Sequence, residues 1–217
     1  MAKKGRRAEN WDVLERIGRT LSRAAARGKP GSRRLPPLFL ITDPDRTPDP
    51  VALARLLPRG CGLIYRAFGA PKAKKTAKKL GRIARTRGLV LLIGADALRV
   101  RGQAGAHLPE RMAHRARALK AKRPGMLVTA AAHSLPAILR ARRAGVDAVL
   151  VSAVFESGSP SAGKPLGPHR FAALVRAGGL PAYALGGVTT KNAPRLLGAG
   201  AAGLAGVEAF AAALTRT

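Results

Sequence analysis

Eight short apolar runs recur between residues 38 and 206, and in each the apolar residues are continuous rather than alternating with polar ones. They are Leu38–Thr42, Gly62–Tyr65, Leu89–Ile93, Ala104–Leu108, Met126–Thr129, Asp147–Val151, Ala182–Leu185 and Gly203–Gly206. A strand that is apolar on both faces must be covered on both faces, as the strands of a parallel sheet are. The intervening segments carry helical periodicity near 49–57, 72–86, 110–122, 134–144, 168–177 and 190–199, with a short helix or turn at 95–101 and an Ala-rich helix at the end. Alternating strands and helices indicate an α/β fold. Eight such units in about 180 residues predict a TIM (β/α)8 barrel with short loops. A doubly wound open sheet is the alternative, but it more commonly stops at five or six strands.

Residues 1–36 stand apart as a basic N-terminal extension, and residues 37–217 form the single barrel domain. Trp11, Leu14, Ile17, Leu21 and Ala25 recur at helical spacing, followed by a Pro/Gly-rich linker from Lys29 to Pro37. The apolar stripe is expected to pack on the barrel, covering one of its ends, rather than to lie on a membrane. Forty Lys and Arg against eleven Asp and Glu give a formal charge of +29. The basic residues are scattered along the chain, which favours solvated helix faces over a nucleic-acid partner. Few aromatics (4%) offer platforms for stacking bases. The single cysteine, Cys61, is expected to be a buried inert thiol. No apolar run approaches the roughly 18 residues of a membrane span, and the N-terminus lacks the apolar core of a secretory signal. A cytoplasmic protein with no membrane partner is the expectation, and a homodimer is left open.

Chemistry in such a barrel collects where strands meet the loops that follow them. The runs Tyr183–Val188 and Gly203–Val207 end in glycines just before helix starts, where backbone N–H groups favour an anion. Gly186, Gly187, Gly206 and Val207 are therefore candidates to hold the phosphate of a small phosphorylated ligand. Arg66 after the second strand, with Ser157 and Lys164 after the sixth, would complete a cradle for an anionic substrate. His133 after the fifth strand is the leading proton-transfer candidate, because imidazole both takes and gives a proton near neutrality. His107 after the fourth fits a structural or a substrate-binding role equally. His114 and His169 read as surface residues. Ser134, and Thr189 or Thr190, are expected to cap helices. Asp43 and Asp96 make only a weak metal signal.

Leu40-Ile-Thr-Asp43, Ala104-Gly-Ala-His-Leu108, Ala132-His-Ser134, Gly145-Val-Asp-Ala148, Ser152-Ala-Val-Phe155, Leu185-Gly-Gly-Val188 and Gly200-Ala-Ala-Gly203 stand in one order along the chain. That ordered set resembles the thiamine phosphate synthase family, including its TenI-type thiazole tautomerase branch, over roughly residues 38–210. The resemblance implies a TIM barrel and a thiazole phosphate ligand. For a synthase it also implies magnesium and a pyrimidine diphosphate; for a tautomerase it implies no cofactor.

Departures from the family pattern bear on which branch is meant. Synthases of the family carry Gln, Arg and Lys after the second strand, and here the positions are Ile64, Arg66 and Phe68. Where Asn-Asp is usual after the third strand, Gly94-Ala95 stand, with Asp96 displaced by one; the second metal carboxylate is replaced by Met112. The Thr and Lys after the sixth strand become Ser157 and Pro160, leaving Lys164 as a displaced substitute, and Ala131 replaces a serine. A magnesium diphosphate is balanced by such ligands and cations, so their loss disfavours diphosphate displacement. The expectation is a TenI-like isomerase in which His133 aromatises a thiazole carboxylate phosphate. A synthase using displaced Asp96, Glu110 and Lys164 is the alternative, and an inactive anion- or nucleic-acid-binding barrel is a third reading.

Overall fold

The structure, a computed structural model, describes residues 2–27, 35–94, 101–159 and 163–215. Eight parallel strands pair in sequence order, and β8 pairs with β1 to close the barrel. The strands are β1 (Leu38–Ile41), β2 (Gly62–Tyr65), β3 (Val90–Gly94), β4 (Gln103–Leu108), β5 (Leu127–Ala132), β6 (Ala148–Val151), β7 (Ala182–Ala184) and β8 (Gly203–Gly206). Nearly every strand residue is buried, which is why the runs lack alternation. The barrel interior is filled by Phe39, Ile41, Ile64, Leu92, Leu127, Leu150 and Tyr183, whereas Leu38, Leu40, Leu63 and Leu91 face the surrounding helices. Tyr183 and Phe39 meet edge to face at 4.9 Å, and the Tyr183 hydroxyl donates to the Pro36 carbonyl at 2.6 Å.

The outer layer comprises α1 (Ala2–Ala26), α2 (Pro50–Leu56), α3 (Ala73–Arg87), α4 (Ala116–Lys122), α5 (Leu135–Arg143), α6 (Gly167–Gly178) and α7 (Glu208–Thr215). Local chemistry sets several of their ends. Asp49 caps α2 through Val51 and Ala52, with Pro50 in its first turn. Gly88 and Gly179 end α3 and α6 in the left-handed conformation. Two segments differ from the sequence expectation. Residues 110–115 form a 3₁₀ turn before α4, and only a 3₁₀ turn at Ala193–Leu196 follows β7 in place of a helix.

The stripe on α1 packs as an apolar face should: Trp11, Leu14, Ile17 and Leu21 are buried in the same core as Leu38, Leu40 and Phe210. Trp11 meets Phe210 edge to face at 6.0 Å. A Cβ on Gly18 would sit 2.7 Å from the Leu38 side chain, which points outward from the barrel. So α1 lies against the flank made by β1, β8 and α7, rather than covering an end of the barrel. The linker residues 28–34 lie outside the described residues, as do residues 95–100 and with them Asp96. No helix among the described residues is long and apolar enough to cross a membrane.

Candidate active site

A cavity of about 300 Å³ opens where the C-terminal ends of the strands meet their loops. Arg66, His107, His133, Ser157, Gly186, Gly187, Gly206 and Val207 all line it, although they come from six different strand ends. Lys164 does not line it and stands exposed on the connection between β6 and α6.

His133 follows β5 immediately and is held on two sides. Its backbone N–H donates to Glu110 Oε2 at 3.0 Å, and Glu110 Oε1 in turn accepts from Arg140 at 3.1 Å. Its Nδ1 lies 2.9 Å from the Ser152 carbonyl oxygen, with the Ser152 hydroxyl at 3.3 Å. A carbonyl can only accept, so this contact places the proton of the neutral ring on Nδ1 and leaves Nε2 as the basic lone pair. Ser134, the next residue, caps α5 by accepting from the Ala137 N–H at 3.3 Å.

His107 has different surroundings. Its ring is buried in the barrel mouth, with Nδ1 2.9 Å from the hydroxyl of fully buried Thr129. Burial, with a smaller contribution from the Arg66 charge, pushes its pKa down to about 3. It is therefore neutral at ordinary pH, suited to hydrogen bonding rather than to acid–base exchange.

Arg66 is fixed from β1. Its backbone N–H donates to the Thr42 hydroxyl and its Nε to the Thr42 carbonyl, both at 3.0 Å, while Nη2 reaches Asp43 at 3.3 Å. Asp43 also accepts from Arg46 Nη2 at 3.0 Å. The hydrogen bond from Arg46 is the main reason its carboxyl stays below the usual carboxylate range, against the opposing effect of burial. Asp43 is thus the hub that orients two guanidinium groups, both of which line the cavity. Phe68, 65% exposed, carries Arg66 over its ring at 5.0 Å.

At the glycine-rich end the structure gives the glycines an internal reason. A Cβ on Gly187 (φ +64°) would lie 2.0 Å from the Glu156 carbonyl oxygen, and one on Gly186 (φ +88°) 2.8 Å from Ala153 Cα. On Gly206 it would strike the Phe210 ring at 2.2 Å. The bare backbone admits neighbouring chain as much as any ligand. Donors remain nonetheless: the Gly187 and Val188 N–H groups find no acceptor among the described residues, and the first N–H groups of α7 have no partner within the helix. Thr189 and Thr190 do not cap a helix here. Asn192 organises the loop, accepting from the Thr189 N–H and donating to the Gly187 carbonyl, each at 2.8 Å.

Among the polar lining residues that the sequence does not single out are Arg46, Ser152, Glu156 and Glu208. Ser152 stood inside a quoted motif, but only the folded chain shows its carbonyl meeting His133. Glu208 directly follows Val207 and brings a carboxylate to the first turn of α7, beside the anion donors. Among the described residues, which do not include Asp96, no three His, Cys, Asp or Glu side chains gather. Asp43 and Glu110 are each committed to arginine. Met112 is partly buried against the apolar core. Cys61 is buried, and burial pushes its thiol up to about 12, in keeping with an inert role.

Comparison with known proteins places these features in a family. Residues 38–210 match the family described as thiamine monophosphate synthase. A thiamine-phosphate synthase of Chlorobium luteolum is 31% identical over 180 residues, covering 80% of this chain and 84% of that one. A putative thiamine-phosphate synthase 2 of Aquifex aeolicus is 28% identical, covering 81% of this chain and 98% of its own. Among solved structures, thiamine phosphate pyrophosphorylase from Pyrococcus furiosus superposes with a TM-score of 0.66 at 22% identity, over 82% of this chain and 91% of that one, which speaks to the fold. The chain belongs to the thiamine monophosphate synthase family.

Proposed function

We propose that this enzyme of thiamine biosynthesis binds a phosphorylated thiazole in the barrel mouth and shifts a proton on it, converting a thiazole carboxylate phosphate to its aromatic tautomer. The observation that carries the reading is the 2.9 Å contact between His133 Nδ1 and the Ser152 carbonyl, which occupies Nδ1 and leaves Nε2 as the nitrogen available for proton transfer. In this reading His133 takes a proton from the non-aromatic ring and returns one at the position that completes the aromatic system, so no atom is gained or lost. The imidazolium formed between the two transfers is stabilised by the Ser152 carbonyl, and Glu110 holds the backbone that carries it. Backbone N–H groups after β7 and at the start of α7 hold the phosphate. Arg66 and Ser157 orient the carboxylate or ring, and neutral His107 supplies a hydrogen bond. A volume of about 300 Å³ is at the low end for small-molecule sites and suits one compact substrate.

The names of the relatives favour a second reading, thiamine-phosphate synthesis from a pyrimidine diphosphate and a thiazole phosphate. Magnesium would be expected in that reaction, but the described residues do not assemble a carboxylate set for it. One pair of assays separates the two. The full chain is given the non-aromatic tautomer, with aromatisation followed by absorbance, and separately the two synthase substrates with magnesium, with diphosphate release followed. Aromatisation well above the buffer rate supports the first reading. Diphosphate release without aromatisation replaces it with the second.

A further inference from the structure

A second concavity adjoins the first, and His133 lines both. It is a groove of about 860 Å³ between α5 and the segment formed by the 3₁₀ turn and α4. Arg111, His114 and Arg117 line one wall at three-residue spacing, and Arg140 and Arg143 line the other at the same spacing. Ala113 and Ala144 also line it, and their small side chains leave it roomy. Glu110 is the sole carboxylate lining it, with one oxygen committed to the His133 N–H and the other to Arg140. The guanidinium groups of Arg111, Arg117 and Arg143 have no ion-pair or hydrogen-bond partner among the described residues, the Arg111 carbonyl alone meeting His114 Nδ1 at 3.1 Å. Three like charges gathered in a concavity raise the local potential, because low-dielectric walls focus the field. All three are exposed, so water and salt screen part of their repulsion, and an anion seated between them would offset the rest.

We infer that this groove binds a compact oligophosphate, two or more linked phosphoryl groups. Each free guanidinium presents a fork that matches two phosphate oxygens, and three of them balance a charge a single ester does not carry. Among the described residues no Phe, Tyr or Trp lines the groove, so the broadest stacking platforms for bases are missing from it, which favours a phosphate chain over single-stranded nucleic acid. The inference is independent of the proton-transfer reading and of the synthase reading, since none of these arginines is placed in the chemistry of either.

The test is calorimetric titration of the full chain with inorganic triphosphate at near-physiological salt. Arg111, Arg117 and Arg143 are changed together to Ala, and a control variant loses the same charge from α3, where Lys74, Lys75 and Lys78 are exposed. Binding weakened tenfold or more in the groove variant, and less than threefold in the α3 variant, is the expected result. No binding to the parent, or equal loss in the two variants, overturns the inference by reducing it to general charge. Should the triple variant fail to fold, Arg111→Glu and Arg143→Glu singly carry the same expectations. Capture of a single-stranded RNA by these arginines, with triphosphate unable to compete, also overturns it.

Discussion

The Ser152 carbonyl oxygen lies 2.9 Å from His133 Nδ1, joining the end of β6 to the end of its neighbour β5 at the barrel mouth. Because that oxygen can only accept, one contact sets both the tautomer and the direction of the ring. Neither residue alone carries this information.

Glu208 is one of two carboxylates among the described residues that line the cavity, with Glu156, and it is the one at the helix start where the proposed ligand's phosphate would sit. Its carboxylate stands in the first turn of α7, where a phosphate would meet the helix N-terminus. Two anions separated by several ångströms near a surface repel by about 1 kcal/mol. Glu208→Gln is therefore expected to tighten thiazole phosphate binding by about three- to tenfold at low salt and less at high salt. Titration at two ionic strengths measures this, and weaker binding in the variant would place the phosphate elsewhere.

Gly187→Ala should destabilise the barrel. An alanine at φ +64° costs about 1–2 kcal/mol, and the 2.0 Å approach to the Glu156 carbonyl adds a further 1–3 kcal/mol of displacement. Thermal unfolding should fall by several degrees. An unchanged midpoint would mean that the loop after β6 moves aside at no cost.

How far the chain could be read from its residues follows from what each signal depends on. Strand positions were legible because each strand is buried on both faces, so Phe39 and Leu40 are equally apolar although one points into the barrel and the other out. The segment after β7 was not, since Pro194 and a 3₁₀ turn occupy what looked like a helix, and Asn192 ties the preceding loop to Thr189 and Gly187 without capping that turn. Glycines at strand ends read as room for a ligand phosphate, and in the fold a Cβ there would also meet Glu156 and Phe210, which no spacing in the sequence reveals. Lys164 was placed in the site by counting along a loop, and counting does not fix a loop's path. The basic residues look scattered in sequence, yet packing of α5 against residues 110–122 brings four arginines into one groove.

Burial of neutral His107 makes stability depend on pH in a definite direction. The unfolded chain takes up a proton on this ring below its ordinary value of 6.5, whereas the folded chain does so only near 3. Unfolding therefore binds a proton throughout that window. The stability contribution is complete above pH 6.5 and is lost as pH falls toward 3. The urea midpoint should drop between pH 6.5 and 4.5, above the range in which Asp43 titrates, and His107→Gln should flatten that limb. Parallel limbs in parent and variant would assign the dependence to another group.

Docking of α1 can be tested at Trp11, the single tryptophan of the chain. Trp11→Ala leaves a cavity beside Phe210 and should cost about 3–5 kcal/mol. The buried Trp11 Nε1 has no hydrogen-bond partner among the described residues, so Trp11→Phe removes that donor along with some packing and should cost far less. Urea unfolding followed by circular dichroism compares the two. Equal and negligible losses would show that α1 contributes nothing to the barrel's stability.

The most direct measurement is the rate of aromatisation of the thiazole carboxylate phosphate by the parent and by His133→Asn, at substrate concentrations saturating for each. A drop of about 10²–10⁴-fold, with thiazole phosphate affinity held within threefold, is the predicted result, because general acid–base catalysis contributes on that order. A variant that turns over as fast as the parent, or a parent no faster than buffer, would contradict proton transfer by His133.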